Sequence, residues 1–409
     1  MIGYNLLYPR KQEMYRDTRR RFLSASGAFV AANFLPRAFA GQNESSAVEG
    51  KRGLVVLGDR PLNAETPVSL LDDEVTPNDV HFIRNNGLVP ERARTRDVSD
   101  WTLTVDGVVR NTLRLGLSEL KSRYPVHTMQ LVMECAGNGR AGFRPPTGGN
   151  QWKLGAVGCP AYTGVRLKDV LRSAGVEPSA VYVGYYGEDV HLSGNPEAVV
   201  ISRGIPISKA LDDATLLAWD MNGEPLPAQH GFPLRLVAPG YPGSVSGKWL
   251  RRLWVRDRVH DGEKMEGFSY RVPKRPVEPG ADVPEEEMEI IEAMPVKSII
   301  TRPGSGLEHP REVPLGLRGH AWCGDGTVDA MHLSLDFGRT WTRAELRPPR
   351  NRFAWQRWHG TLLFPTAGHY EVWVRATDHA GRQQPMVVPG WNPRGYLNNA
   401  MHRIAVKVV

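Results

Sequence analysis

This sequence predicts an α+β molecule in two parts, an irregular mixed domain followed by an all-β sandwich. Three observations predict it. Proline (32) and glycine (42) are plentiful among the 409 residues, which favours short strands and many turns over a helical bundle. Residues 271–289, RVPKRPVEPGADVPEEEME, are rich in proline and charge and poor in large apolar side chains, so they read as a linker. Beyond them, apolar and polar residues alternate at the two-residue period of half-buried strands.

Ahead of both parts stands Thr18-Arg19-Arg20-Arg21-Phe22-Leu23-Ser24, then an apolar run from Ala25 to Leu35, then Ala38-Phe39-Ala40. A charged start, a short apolar stretch and a small-x-small cleavage site predict a twin-arginine signal over residues 1–40 and export to the periplasm. That route carries folded proteins, which suits a cofactor inserted before export. The apolar run is too short to span a bilayer, so no membrane anchor is expected. Residues 1–40 hold seven Lys/Arg and two Asp/Glu, and without them the net charge falls from +7 to +2. A nearly neutral mature chain gives no basic patch for nucleic acid.

Residues 41–270 form the mixed domain. A short strand is predicted at Leu54–Leu57, and Trp101 to Val105 alternates into the turn residues Asp106-Gly107. Leu115 to Arg123 and Leu167 to Ala174 have the apolar spacing of short amphipathic helices, and Trp249 to Val255 reads as a strand. In residues 290–409, Met331 to Leu335, Tyr370 to Arg375 and Arg403 to Val409 alternate at hairpin spacing, which predicts an Ig-like sandwich. Such sandwiches serve binding or dimerisation, so catalysis is sought upstream.

Cys135, Cys159 and Cys323 are too sparse and odd in number for a disulfide scaffold. No C-x-x-C or C-x-x-C-H occurs, which argues against zinc ribbons, iron–sulfur clusters and attached haem in this chain. A thiolate-bound metal would therefore take one cysteine and a cofactor that brings its remaining ligands. For an isolated cysteine the simplest reading is a buried structural thiol. Cys159, after a Gly-Ala-Val-Gly run, and Cys323, beside Trp322, fit that reading, and Trp341 reads as packing the sandwich. His127, His191, His320 and His379 read as surface or turn histidines, since no i, i+4 pair accompanies them.

Cys135 differs because of its company. It lies in Met133-Glu134-Cys135-Ala136-Gly137-Asn138-Gly139-Arg140, one of four donor-rich, glycine-bearing clusters. The others are His81 to Gly87, His230 to Arg235, and Ser244 to Trp249. Donors dominate and carboxylates are scarce, which points to an anionic, oxygen-rich ligand, phosphate included.

These stretches resemble the sulfite oxidase family of molybdenum enzymes. Thr76-Pro77-Asn78 through Asn86 and Glu134 to Asn138 carry the likeness. So does the run from Ala218 to Pro227 that continues through His230 to Arg235, as do Trp391 to Gly395 and Asn399 to Arg403. The resemblance covers residues 52–409. It implies a molybdopterin domain followed by a dimerisation domain, hence a homodimer, with Cys135 as the protein ligand to molybdenum. Phe82, Arg84, Asn85, Asn86, Asp189, His230, Arg235, Ser246, Gly247 and Lys248 would cradle the molybdenum–molybdopterin cofactor. Arg84, Arg140, Trp152 and Arg394 would line the pocket of a small oxyanion, which guanidinium groups hold bidentately. The implied reaction oxidises sulfite to sulfate, and the electrons leave to a c-type cytochrome or a haem subunit.

Two departures touch the substrate. Met265 stands where the family's sulfite-oxidising members carry a tyrosine, with Tyr270 the nearby candidate to take its part, and Asn86 replaces a common histidine. The missing tyrosine leans toward a sulfane dehydrogenase acting on carrier-bound sulfur. The Ala136-Gly137-Asn138 wording leans toward sulfite. A reductase of this fold and a cofactor-free binding module rank lower, the first because such reductases lack the second domain, the second because Cys135 and its cradle are kept.

Overall fold

Short strands in two sheets build the first part of the chain, which a computed structural model describes over residues 48–409. The expected signal at 1–40 lies outside the described residues. One sheet runs in the order Gly204–Pro206, Tyr182–Gly187, Leu250–Arg256, Thr102–Gly107, Leu113–Gly116. Its one parallel pair joins Leu250–Arg256 to Thr102–Gly107. The other sheet centres on Leu216–Met221, flanked antiparallel by Ala161–Arg166 and Arg235–Val237.

Leu103, Val105 and Leu115 from the first sheet meet Val165, Leu217 and Leu236 from the second in one core. Each such side chain contributes roughly 1.5–3 kcal/mol when removed from water. Helix Leu167–Ala174 adds Leu167, Val170, Leu171 and Ala174, the i, i+3, i+4, i+7 stripe its sequence spells. Gly175 ends it in the left-handed region (φ 69°), donating to the Arg172 carbonyl. The helix anticipated from Leu115 starts at Leu117, because Leu115 pairs across the sheet with Leu103. A third, small sheet of Val55–Asp59, Leu62–Glu65 and Ile83–Arg84 delivers residues 84–86 to the site.

The proline-rich stretch 271–289 is not an open connector. Arg271–Pro273 pairs antiparallel with Met288–Ile290, so the chain leaves and returns at one place. Composition does not reveal this because the pairing joins residues far apart in sequence. The second part is a continuous ladder of eight strands, from Lys297–Arg302 at one edge to Leu307–His309 at the other. Ile300 and Leu317 near one end share a core with Val374 and Ile404 near the other, so the ladder wraps over that core as two layers. Arg403–Val408 alternates exposed and buried side chains without a break.

The two parts share a hydrophobic cluster in which Val132, Val157 and Cys159 meet Ile299, Trp322 and Trp355. Burial pushes the Cys159 thiol up to about 12 and that of Cys323 up to about 11, which leaves both inert as nucleophiles. One expectation needs correction. His320 is not a surface residue; it is fully buried and stacked on Trp355 (4.0 Å, 6°), with burial lowering its pKa to about 4. Trp341 packs on the sandwich as expected, half-buried under the Arg375 guanidinium of strand Gly368–Asp378, 4.1 Å away. Among the described residues no helix is long and apolar enough to cross a membrane.

Candidate active site

Cys135 follows a two-residue strand, Met133–Glu134, that pairs with Val157–Gly158. Its amide donates to the Ala156 carbonyl (3.0 Å), and its own carbonyl accepts from Asn138 (2.9 Å), which starts a tight turn. Arg140 then folds back along that turn. A side chain at Gly137 would push against that guanidinium, so glycine lets Arg140 pack closely on the turn.

Behind the turn lies a buried charge. Glu134 accepts from Lys297 (2.6 Å), Asn138 (3.0 Å) and the Trp322 indole (2.8 Å). Lys297 and Trp322 belong to the sandwich, which therefore grips the cysteine turn from the rear. Leu397 and Asn398 add hydrogen bonds to the carbonyls of Ala136 and Gly139.

Cys135 faces two cavities. The first is lined by His81, Phe82, Asp189, His230, Arg235, Ser246 and Lys248, among others. Arg235 is fully buried and spends Nη1 on the His230 carbonyl (3.0 Å) and Nη2 on that of Ser246 (3.1 Å). Lys248 donates to the carbonyls of Arg84 and Gln229 and to Asn85 Oδ1. Burial, with Arg235 nearby, holds its pKa well below the usual ammonium value. Burial likewise lowers His81 to about 3 and puts His230 well below its ordinary range. Asp189 is raised to about 6 by burial, against the opposing charge of Lys248.

Lys51, which carries no motif, reaches the carbonyls of Asn78 and His81 and His230 Nε2 (2.6 Å). An ammonium can only donate, so Nε2 accepts and the neutral His230 ring carries its proton on Nδ1. Burial lowers Lys51 to about 7, opposed by Asp79. His81 Nδ1 donates to the Phe82 carbonyl (3.0 Å), which leaves Nε2 an acceptor.

The second cavity takes Arg84, Arg140, Lys264 and Arg394 as its cations, and no carboxylate lines it. Arg140 is positioned by the carbonyls of Arg394 (2.7 Å) and Asn150 (2.9 Å). Arg394 and Tyr396 come from the sandwich, so this cavity belongs to both parts of the chain. Tyr270 lines both cavities. It stacks on Tyr396 (5.5 Å, 10°), with Arg203 over its own ring and Arg140 over that of Tyr396.

Most residues singled out from sequence converge here, with three differences. Trp152 is fully buried among the hydrophobic neighbours of Cys135 and lines neither cavity; it meets Phe82 edge-on at 6.4 Å. Gly247 is not on the wall either, since it lies against the Tyr185 ring, where a Cβ would clash. Asn85 lines the second cavity rather than the first and bridges Lys248 to Gln229. Met265, at the tyrosine's place, is buried and lines neither cavity. Sequence reasoning missed Lys51, Lys264, Tyr185 and Tyr396. His81 was also left out of the cradle, and of these five it alone had a signal in the motifs, since it begins one of the donor clusters.

The first cavity can be tested for fit to a pterin with a phosphate. His81 Nε2, Arg235 Nε and Ser244 Oγ line it as buried polar atoms without a partner among the described residues. Such atoms cost free energy unless a ligand satisfies them. Donors and acceptors together suit a heterocycle, and Lys248 with Arg235 suits its phosphate. No group of three or more His, Cys, Asp or Glu that could hold a metal occurs among the described residues. The soft donor available to a metal between the cavities is the Cys135 thiol.

Fold and site together define a molybdopterin-dependent oxidoreductase. The oxidoreductase molybdopterin binding domain matches residues 87–264, and the Mo-co oxidoreductase dimerisation domain matches 288–409. The chain is 36% identical over 367 residues to sulfite oxidase of Gallus gallus, covering 86% of this chain and 77% of that one. It is 30% identical over 379 residues to a nitrate reductase [NAD(P)H] of Hordeum vulgare, covering 86% of this chain but 41% of the relative. The structure of sulfane dehydrogenase SoxCD from Paracoccus pantotrophus superposes with a TM-score of 0.70 at 27% identity, covering 91% and 93% of the two chains. The chain belongs to the sulfite oxidase family of molybdenum enzymes. Membership implies a molybdenum–pyranopterin cofactor.

Proposed function

We propose that this protein oxidises sulfite to sulfate and passes the electrons to a separate acceptor, most simply a periplasmic c-type cytochrome. The observation that carries the reading is the meeting of two unlike cavities at one cysteine. One offers buried donors to a cofactor; the other offers four cations to a small anion. Bound between them, the molybdenum–pyranopterin group supplies two-electron redox chemistry and oxygen-atom transfer. The Cys135 thiolate would hold its metal, and His81, His230, Arg235 and Lys248 would hold its organic part. Arg84, Arg140 and Arg394 would orient the oxyanion and offset charge that develops in the transition state. The twin-arginine pattern supports export of the loaded enzyme, and the dimerisation domain supports a homodimer.

The test is sulfite-dependent reduction of ferricyanide by the molybdenum-loaded protein, with Cys135→Ser as control. Activity lost by at least about a thousandfold in the variant is the expected result. A loaded enzyme silent with sulfite but active on carrier-bound sulfur would favour the second reading, sulfane dehydrogenation. Two observations support that alternative: the likeness to the SoxCD structure and the turning away of Met265 from both cavities.

A further inference from the structure

The turn that buries Met265 brings its neighbour into the anion cavity. Met265 donates its amide to the Gly262 carbonyl (2.9 Å), and Ser202 donates to that of Glu263 (3.0 Å). Lys264 adopts the left-handed region (φ 68°), and its carbonyl accepts from Arg203 (3.4 Å). Lys264 is thereby directed toward Cys135's second cavity, where its ammonium donates to Asn86 Oδ1 (3.2 Å). The same oxygen accepts from Arg84 Nη2 (2.9 Å), so one amide holds two cations side by side. Among the described residues Lys264 forms no ion pair with a carboxylate. Its charge is left for a ligand.

We propose that Lys264 is a substrate-binding residue that tunes this cavity to doubly charged oxyanions, sulfite and sulfate, over singly charged ones such as nitrate. The inference rests on the reading of the site as a sulfite oxidase. A guanidinium fork binds oxygen atoms through directional hydrogen bonds, which sulfate and nitrate both accept. An ammonium acts as a point charge, and its Coulomb attraction doubles when the anion's charge doubles. Lys264 adds such a charge beside three guanidinium groups, and Asn86 makes that placement possible. Asn86 Oδ1 can accept from both cations at once, whereas a protonated histidine there could accept from neither.

The experiment is calorimetric titration of sulfate and of nitrate into the oxidised, molybdenum-loaded enzyme at mildly alkaline pH. Wild type, Lys264→Gln and Lys264→Arg are compared. Lys264→Gln is expected to weaken sulfate binding about tenfold and nitrate binding about threefold, and Lys264→Arg is expected to retain most of the preference. Equal weakening of both anions would mean that Lys264 only shapes the wall, and no weakening would mean that it does not touch the anion; either result overturns the inference. Sulfate binding needs no turnover. A charge-dependent loss in an enzyme that fails to oxidise sulfite would therefore uphold Lys264 and reject the sulfite reading. Sulfite oxidation with an unchanged sulfate-to-nitrate ratio would do the reverse.

Discussion

The two cavities that meet at Cys135 both offer positive charge, yet they are built in opposite ways. In the first, His81 and His230 are buried and Lys51 and Lys248 half-buried, and desolvation lowers the proton affinity of all four. Their donors are held by backbone carbonyls of neighbouring loops, and several polar atoms lack partners. That suits a ligand which enters once and stays, because its own charge and acceptors complete the site. In the second, the cations stand around an opening cavity and are contributed by both parts of the chain. That suits an anion which arrives and leaves at each turnover. The contrast teaches that unpartnered buried polar atoms mark a cofactor cradle, whereas cations gathered without a carboxylate mark a substrate pocket.

The largest expected effect comes from attacking the wall that both cavities share. Lys297→Met leaves Glu134 buried without its cation and should cost about 3–5 kcal/mol of stability. The cysteine turn should be disturbed at the same time. Chemical denaturation checks the first, and the double variant Glu134→Gln/Lys297→Met should recover part of the loss. A single variant as stable as wild type would show that the sandwich does not support the turn.

A more selective break separates the cavities. Lys51→Ala removes the donor that fixes the His230 tautomer and touches nothing in the second cavity. Molybdenum retained through purification should fall about tenfold, while sulfate affinity per loaded molecule stays unchanged. Loss of sulfate affinity would break the distinction drawn here.

The smallest effect sharpens the role of burial. Asp189 is raised to about 6 in the folded chain, above its ordinary carboxylate value, so its charged form opposes folding at neutral pH. The folded state binds the proton more tightly, so this penalty is full above pH 6 and vanishes as pH falls below about 4. In cofactor-free protein Asp189→Asn should raise Tm by roughly a few degrees at pH 7 and by almost nothing at pH 4. Equal melting at both pH values would contradict the assignment.

Much of this was legible before any coordinates. The period-two strands and the stripe of helix 167–174 depend on local pattern, and local pattern survived. The donor clusters around His81, Cys135, His230 and Lys248 also converged, because glycine and proline fix those loops close to their sequence signals. What stayed hidden depends on contacts distant in sequence. Lys51 gains its role only from His230, 179 residues away, and Lys297 only from Glu134, 163 residues away. Trp152 is a wall residue by the family resemblance, but a fully buried indole edge-on to Phe82 serves the core. Lys264 carries no motif of its own, and only the turn beside Met265 sends it inward. His320 was assigned to the surface for want of a ligand partner, although stacking on a tryptophan can bury an imidazole as well.

The central claim is that Cys135 supplies the chain's ligand to the metal between the two cavities. X-ray absorption at the molybdenum edge tests it most directly, on loaded wild type and loaded Cys135→Ser. The expected result is one sulfur neighbour fewer in the variant, with the cofactor's own sulfurs unchanged. An identical sulfur shell in both proteins would contradict it.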